Sequence, residues 1–263
     1  MFIIIRFLLY TLPLLIFGLF EFVRNYPTSK VILGVAIFIV VWLFGVVWYL
    51  IRHSVRKQSN YMALAELVNY FITPVLLVLS SLLFLVFFND PIFYRLVAGV
   101  IAFLSFLFLE SVFIYLYYPQ KYVLSSMENV SSYLNILISF FLYSGYYGLT
   151  VFLHIRSKWL FVLLIFLNVI LLLQTFFINK LKFKTVWLPL LLSIVIFGEL
   201  VWAVQYLTFT FLVKGVIVSL VYYTISGLLR YYFLQSYNKK ILWRHVLVVV
   251  IIMFFLLFTA QWL

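Results

Sequence analysis

An all-α integral membrane bundle of about nine transmembrane helices is the fold class this sequence predicts. Three observations predict it. Apolar residues make up 68% of the 263. Charged residues make up only 9%. Apolar runs near 20 residues recur along the whole chain, and about 20 residues are what crossing a hydrocarbon core requires. A soluble domain is about 45–50% apolar and about 25% charged. No water-soluble fold of this size hides so much apolar surface, because part of any folded chain must face its solvent. A mean hydropathy of +1.24 therefore makes lipid the solvent for much of the exterior.

The apolar runs lie at 5–23, 31–51, 67–88, 92–118, 133–153, 159–178, 186–207, 209–232 and 241–262. Arg6 and the run that follows it resemble a signal peptide. Glu21, Phe22, Val23 and Arg24 stand where a small-residue cleavage site would be, so the segment is read as an uncleaved first span. Polar breaks separate the rest. Asn25, Pro27, Thr28 and Ser29 end the first span, and Arg52 to Asn60 is polar and basic. Asn89-Asp90-Pro91 is a tight turn, and Pro119 ends the fourth span. Arg156 to Lys158, Asn179 to Thr185 and Gln235 to Lys240 close later spans. Thr208 to Lys214 is the weakest break, and the span count depends on it. Short polar stretches leave no room for a soluble domain, so the chain reads as one transmembrane domain, 1–263.

Lys and Arg number 18 against 6 Asp and Glu. In a membrane protein this excess belongs at helix ends facing anionic lipid headgroups, so the bilayer is the expected partner and nucleic acid is not. With nine spans, 12 of the 18 fall on the N-terminal side, where Arg52, Lys57, Lys121, Lys182 and Lys240 lie; 6 fall on the other. The positive-inside rule then places the N-terminus in the cytoplasm and the C-terminus outside, in a bacterial cytoplasmic membrane. Cysteine is absent, which excludes disulfides and thiol chemistry. Aromatic clusters such as Tyr115 to Tyr118 and Tyr231 to Phe233 suit interfacial anchoring. Ala98 and Ala102 form one small-xxx-small pair and no G-x-x-x-G occurs, so bulky side chains should do most of the packing.

Glu21, Glu110 and Glu199 are evenly spaced, and each begins Glu-x-Val. The same offset relates Arg6 to Arg95 and Arg95 to Lys184. Leu12-Pro13 and Ile16-Phe17-Gly18 recur as Leu188-Pro189 and Ile196-Phe197-Gly198. The pattern suggests repeats 1–89, 90–178 and 179–263, three helices each and alternately inverted, a construction frequent in transporters.

A charge near the bilayer centre costs about 3 kcal/mol on insertion scales and normally faces a partner or the bundle interior. Glu110 and Glu199 are the deepest acids, and Lys214 and Arg95 are the cations expected to pair with Glu199. These four form the candidate intramembrane polar site. Two polar stripes accompany them. On the fifth span Glu128, Ser132, Asn135, Ser139, Tyr143 and Tyr146 share one helical face, with Ser125 and Glu128 as a capping box. On the third, Glu66, Asn69, Thr73 and Ser80 form a row beside Pro74. Such stripes line wet cavities or bond helix to helix. Pro13, Pro74 and Pro189 lie inside spans and favour kinks.

Catalytic signatures are missing. His53, His154 and His245 are scattered at span ends, and H-E-x-x-H, Walker A and G-x-S-x-G do not occur. The acids form no Asp pair for Mg²⁺. No cofactor or metal is expected. Asn129-Val130-Ser131 matches a glycosylation sequon on the side assigned to the cytoplasm.

The segments Glu128 to Asn135 and Phe197 to Trp202 resemble polytopic membrane proteins of small-genome, AT-rich bacteria, a group of no known activity. The likeness covers the middle and last thirds and implies nothing about chemistry. Three functional readings follow. The leading one is a non-catalytic accessory or scaffold component of the cell envelope, with membrane protein partners. The second is a small transporter or lipid-handling permease using Glu110 and Glu199. The third is a membrane-embedded lipid-modifying enzyme.

Overall fold

The computed structural model describes residues 2–52, 60–118, 120, 126–154, 158–178, 183–233 and 239–259. His53 and Ser125 lie outside the described residues, as do the side chains of Glu66, Asn69 and Glu128.

Among the described residues the chain forms nine helices and no strand. They are α1 (Phe2–Asn25), α2 (Ser29–Arg52), α3 (Asn60–Leu85), α4 (Pro91–Tyr117), α5 (Ser126–Phe152), α6 (Lys158–Ile178), α7 (Phe183–Gln205), α8 (Phe211–Phe233) and α9 (Lys239–Thr259). Seven of them, all but α3 and α9, are long and apolar enough to cross a membrane. Within their described side chains α3 and α9 hold shorter apolar stretches, Tyr70–Leu85 and Trp243–Leu256. The protein is a polytopic membrane helix bundle. With no water in the bilayer core, each peptide group must bond within its own segment, and helices are how this chain achieves that.

The helix ends follow local chemistry. Asp90 caps α4, its side chain accepting a 2.9 Å bond from the Ile92 N–H, and Pro91 takes the first helical position. The weak break between α7 and α8 is real and falls slightly early, at Tyr206–Thr210. There the Tyr206 and Leu207 N–H groups reach back three residues to Ala203 and Val204, tightening the last turn of α7.

The chain forms two compact units, Met1–Leu134 and Asn135–Leu263, so the boundary lies inside α5. In unit 1, α1 packs on α4, α4 on α3, α3 on α2 and α2 on α1, a closed ring. Leu9, Leu12, Ile16, Phe20 and Val23 form the buried stripe of α1 at steps of three and four, one helical face. Tyr94, Ala98 and Ala102 belong to the buried face of α4. Tyr94 donates 2.9 Å to the Phe20 carbonyl of α1, and Tyr117 donates 2.9 Å to the Leu50 carbonyl of α2. Each uses a spare carbonyl lone pair, and interhelical bonds of this kind are worth about 0.6 kcal/mol in membranes.

In unit 2, α6 packs on α7, α7 on α8 and α8 on α9. At Gly215, α8 comes close against α5: a Cβ there would overlap Ser144. Large aromatics are also central, with Tyr143, Tyr147, Phe197 and Tyr222 all fully buried.

Candidate functional site

Of the four residues of the expected charged site, Arg95 and Glu110 belong to unit 1 and Lys214 and Glu199 to unit 2. Arg95 bonds Glu21 of α1, its Nε donating 3.0 Å to Oε1, while Arg24 reaches the other oxygen at 3.4 Å. Arg95 and Glu21 sit near helix ends, where both can reach headgroups; Arg95 is 59% exposed. Beside this cluster opens a cleft of about 200 Å³ lined by Arg24, Asn89 and Tyr94.

Lys214 is buried, at 7% exposure. Its Nζ donates 3.1 Å to the carbonyl of Gln205 and lies 5.8 Å from the centre of the Tyr147 ring. Gln205 ends α7, so its carbonyl has no partner within the helix and carries the negative end of the helix dipole. Tyr147 donates 3.1 Å to the Val201 carbonyl one turn earlier. The lysine that was expected to meet a glutamate is instead a cap, holding the end of α7 together with Tyr147.

Glu110 and Glu199 have no ion-pair partner among the described residues. Glu110 is half-buried on α4. Glu199 is exposed, on the outer face of α7 with Leu192, Val195, Ile196 and Trp202. It lies six residues before Gln205, about 9 Å along the axis. Helical side chains lean toward the N-terminus. Its carboxylate therefore leans away from the nearer end of the span, where a short side chain gains least from reaching for water.

The polar stripes turn inward where they are described. Thr73 and Ser139 are buried, as is Asn135, and Ser132 is half-buried. Thr73 of α3 meets Ser131 of α5 with oxygens 3.4 Å apart, so the contact uses the residue beside Ser132. A helical step of about 100° separates the two faces, and the neighbouring helix decides which is inside.

Within unit 2 the α5 stripe joins groups that its own spacing did not indicate. Asn135 donates 3.2 Å to Thr175 of α6, whose oxygen lies 3.4 Å from the Tyr222 hydroxyl of α8. Asn168 lies seven residues before Thr175, two helical turns up the same face of α6, and is also buried. Among the described residues, the Tyr143 hydroxyl, the Ser144 hydroxyl and both amide atoms of Asn168 are buried without a hydrogen-bond partner. The signal for α6 was present: Asn168 and Thr175 are rare polar residues in a long apolar run, spaced to share a face. His245 is a further buried group. It stacks on Tyr223 at 5.1 Å and meets Tyr231 edge-on at 5.6 Å, and Gly227 leaves it room. Among the described residues no three His, Asp or Glu side chains gather as metal ligands would.

Comparison with protein-family models, with curated proteins and with solved structures gives no match.

Proposed function

We propose that this integral membrane protein is a non-catalytic accessory or scaffold component of a bacterial cytoplasmic membrane, N-terminus inside, that assembles with a different membrane protein through the outer face of α7. The observation that carries the reading is Glu199. It is an acid within a span, pointed out of its own bundle among large apolar side chains. Facing lipid alone, it carries a penalty of up to about 3 kcal/mol, depending on depth. A partner helix presenting Lys, Arg or a strong hydrogen-bond donor at that depth removes the penalty and fixes the register of docking. Two copies meeting through a twofold axis at α7 would set one carboxylate against the other, which favours an unlike partner. A permease using Glu110 and Glu199 draws less support, since Glu199 faces away from the interior of its unit. Arg24 and its cleft suit an anionic lipid headgroup beside the complex.

The test is native-gel migration after mild solubilisation from the source membrane. The wild-type chain should run as a complex well above its 31.2 kDa. Glu199→Lys should release it as a monomer of unchanged helical content, and a compensating acidic change in the partner should restore the complex. Equal migration of wild type and Glu199→Lys overturns the proposal, as does co-purification of two differently tagged copies with no second protein.

A further inference from the structure

A separate feature of unit 2, independent of the outer face of α7, concerns its interior. Polar groups run along α5 from Asn135 to Tyr147, twelve residues or about 18 Å. One end is bonded already, Asn135 to Thr175 to Tyr222. The other end is Lys214 over Tyr147, in the first turn of α8. Tyr143, Ser144 and Asn168 are each at least nine-tenths buried, with polar atoms that no described protein group satisfies. An unsatisfied buried polar group costs about 1–3 kcal/mol, and ordered water is the usual remedy. Hydroxyls and water each donate and accept at one oxygen, so a row of them can pass a proton.

We propose that the interior of unit 2 holds a file of bound water, anchored on Tyr143, Ser144 and Asn168, which forms a proton path between the Lys214 end and the Thr175–Asn135 end. A proton taken up at one end displaces one at each oxygen in turn, and one leaves at the other end. Charge and atoms balance, and the side chains return to their starting state after reorientation. The row covers more than half of a hydrocarbon core of about 30 Å, and its outer groups lie within about two helical turns of a span end. Aromatic rings flank the row, Phe197 stacked on Tyr143 at 6.4 Å and tilted against Tyr222 at 6.1 Å.

The full chain, reconstituted into vesicles of phosphatidylcholine and phosphatidylglycerol, tests this directly. A potassium gradient with valinomycin drives protons, and a trapped pH dye reads them. Wild-type vesicles should acidify faster than protein-free ones. Tyr143→Phe should slow the flux about tenfold, the rate equivalent of one lost hydrogen bond of about 1.4 kcal/mol. Asn168→Leu should do the same, and Tyr133→Phe, on the exposed face of α5, should leave it unchanged. Radiolytic hydroxyl-radical footprinting adds a readout independent of flux: Tyr143 should be modified despite its burial, because bound water is the radical source. Wild-type flux at the lipid background overturns the path. So does a Tyr143→Phe variant that folds and conducts as wild type. A dry core would show itself as an unmodified Tyr143 together with an Asn168→Leu chain of higher thermal stability.

Discussion

Replacing Gly215 with alanine adds one methyl group at a close approach of α5 and α8. A Cβ there overlaps the Ser144 hydroxyl and comes within 2.9 Å of both the Ser144 Cβ and its backbone nitrogen. The hydroxyl could rotate away, but the nitrogen belongs to a helix and cannot move alone, so α5 and α8 must separate. Overpacking at a tight helix contact costs about 1–3 kcal/mol. Backbone resistance puts this substitution at the upper end, about 3 kcal/mol. With each kcal/mol shifting Tm by about 2–4 °C at this size, the expected drop is roughly 6–12 °C. Intrinsic tryptophan fluorescence during heating in detergent measures it. Ser144→Gly in the same chain removes the side-chain half of the clash and leaves the nitrogen, so the double variant should recover about half of the loss. The coupling, in which the second change hurts alone and helps in company, is the signature of contact. A Gly215→Ala chain that melts at or above wild type, or no coupling with Ser144→Gly, would refute the close crossing.

Two further expectations concern the rim and the orientation. Glu21→Gln removes two ion pairs at 3.0 and 3.4 Å, but Arg95 is largely exposed, so the loss should be about 0–1 kcal/mol and should shrink with added salt; a larger, salt-independent loss would show that the cluster is buried. Because the chain has no cysteine, single cysteines report topology without a background. A membrane-impermeant maleimide on intact cells should label Thr28→Cys and Asn89→Cys and spare Gln120→Cys, and the reverse pattern would place the N-terminus outside.

Hydropathy made the helices legible because span length and apolarity are properties of a segment taken alone. The ends were legible where they carry their own chemistry, as at Asp90 and Pro91. Orientation about the helix axis was not. Asn135 and Ser139 could be placed on one face of α5, but whether that face met protein or lipid depended on α6 and α8. The bond from α5 to Thr73 comes from Ser131, beside the stripe's Ser132. Lys214 was legible as a cation near a span end but not as a cap, since its partner is a backbone carbonyl and leaves no trace in residue type. Asn168 was overlooked because a single amide in a strongly apolar run scarcely alters its hydropathy. Evenly spaced Glu21, Glu110 and Glu199 looked alike in sequence and met three environments: paired at a rim, half-buried, and facing outward.

That difference separates an acid kept for assembly from one merely tolerated. Glu110 is half-buried with no ion-pair partner among the described residues, and Glu199 is exposed within its span. Replacing either with leucine removes a poorly solvated carboxyl and adds apolar surface, and each change should stabilise the isolated chain, by up to about 3 kcal/mol. The two should part company in the native membrane. If α7 docks through its acid, Glu199→Leu gives a chain that melts higher and no longer migrates as a complex, the trade expected where a destabilising group is kept for function. Glu110→Leu should melt higher and assemble normally. A Glu199→Leu chain that is both more stable and fully assembled would make the outward carboxylate a defect without a partner, and the accessory-subunit reading would lose the observation it stands on.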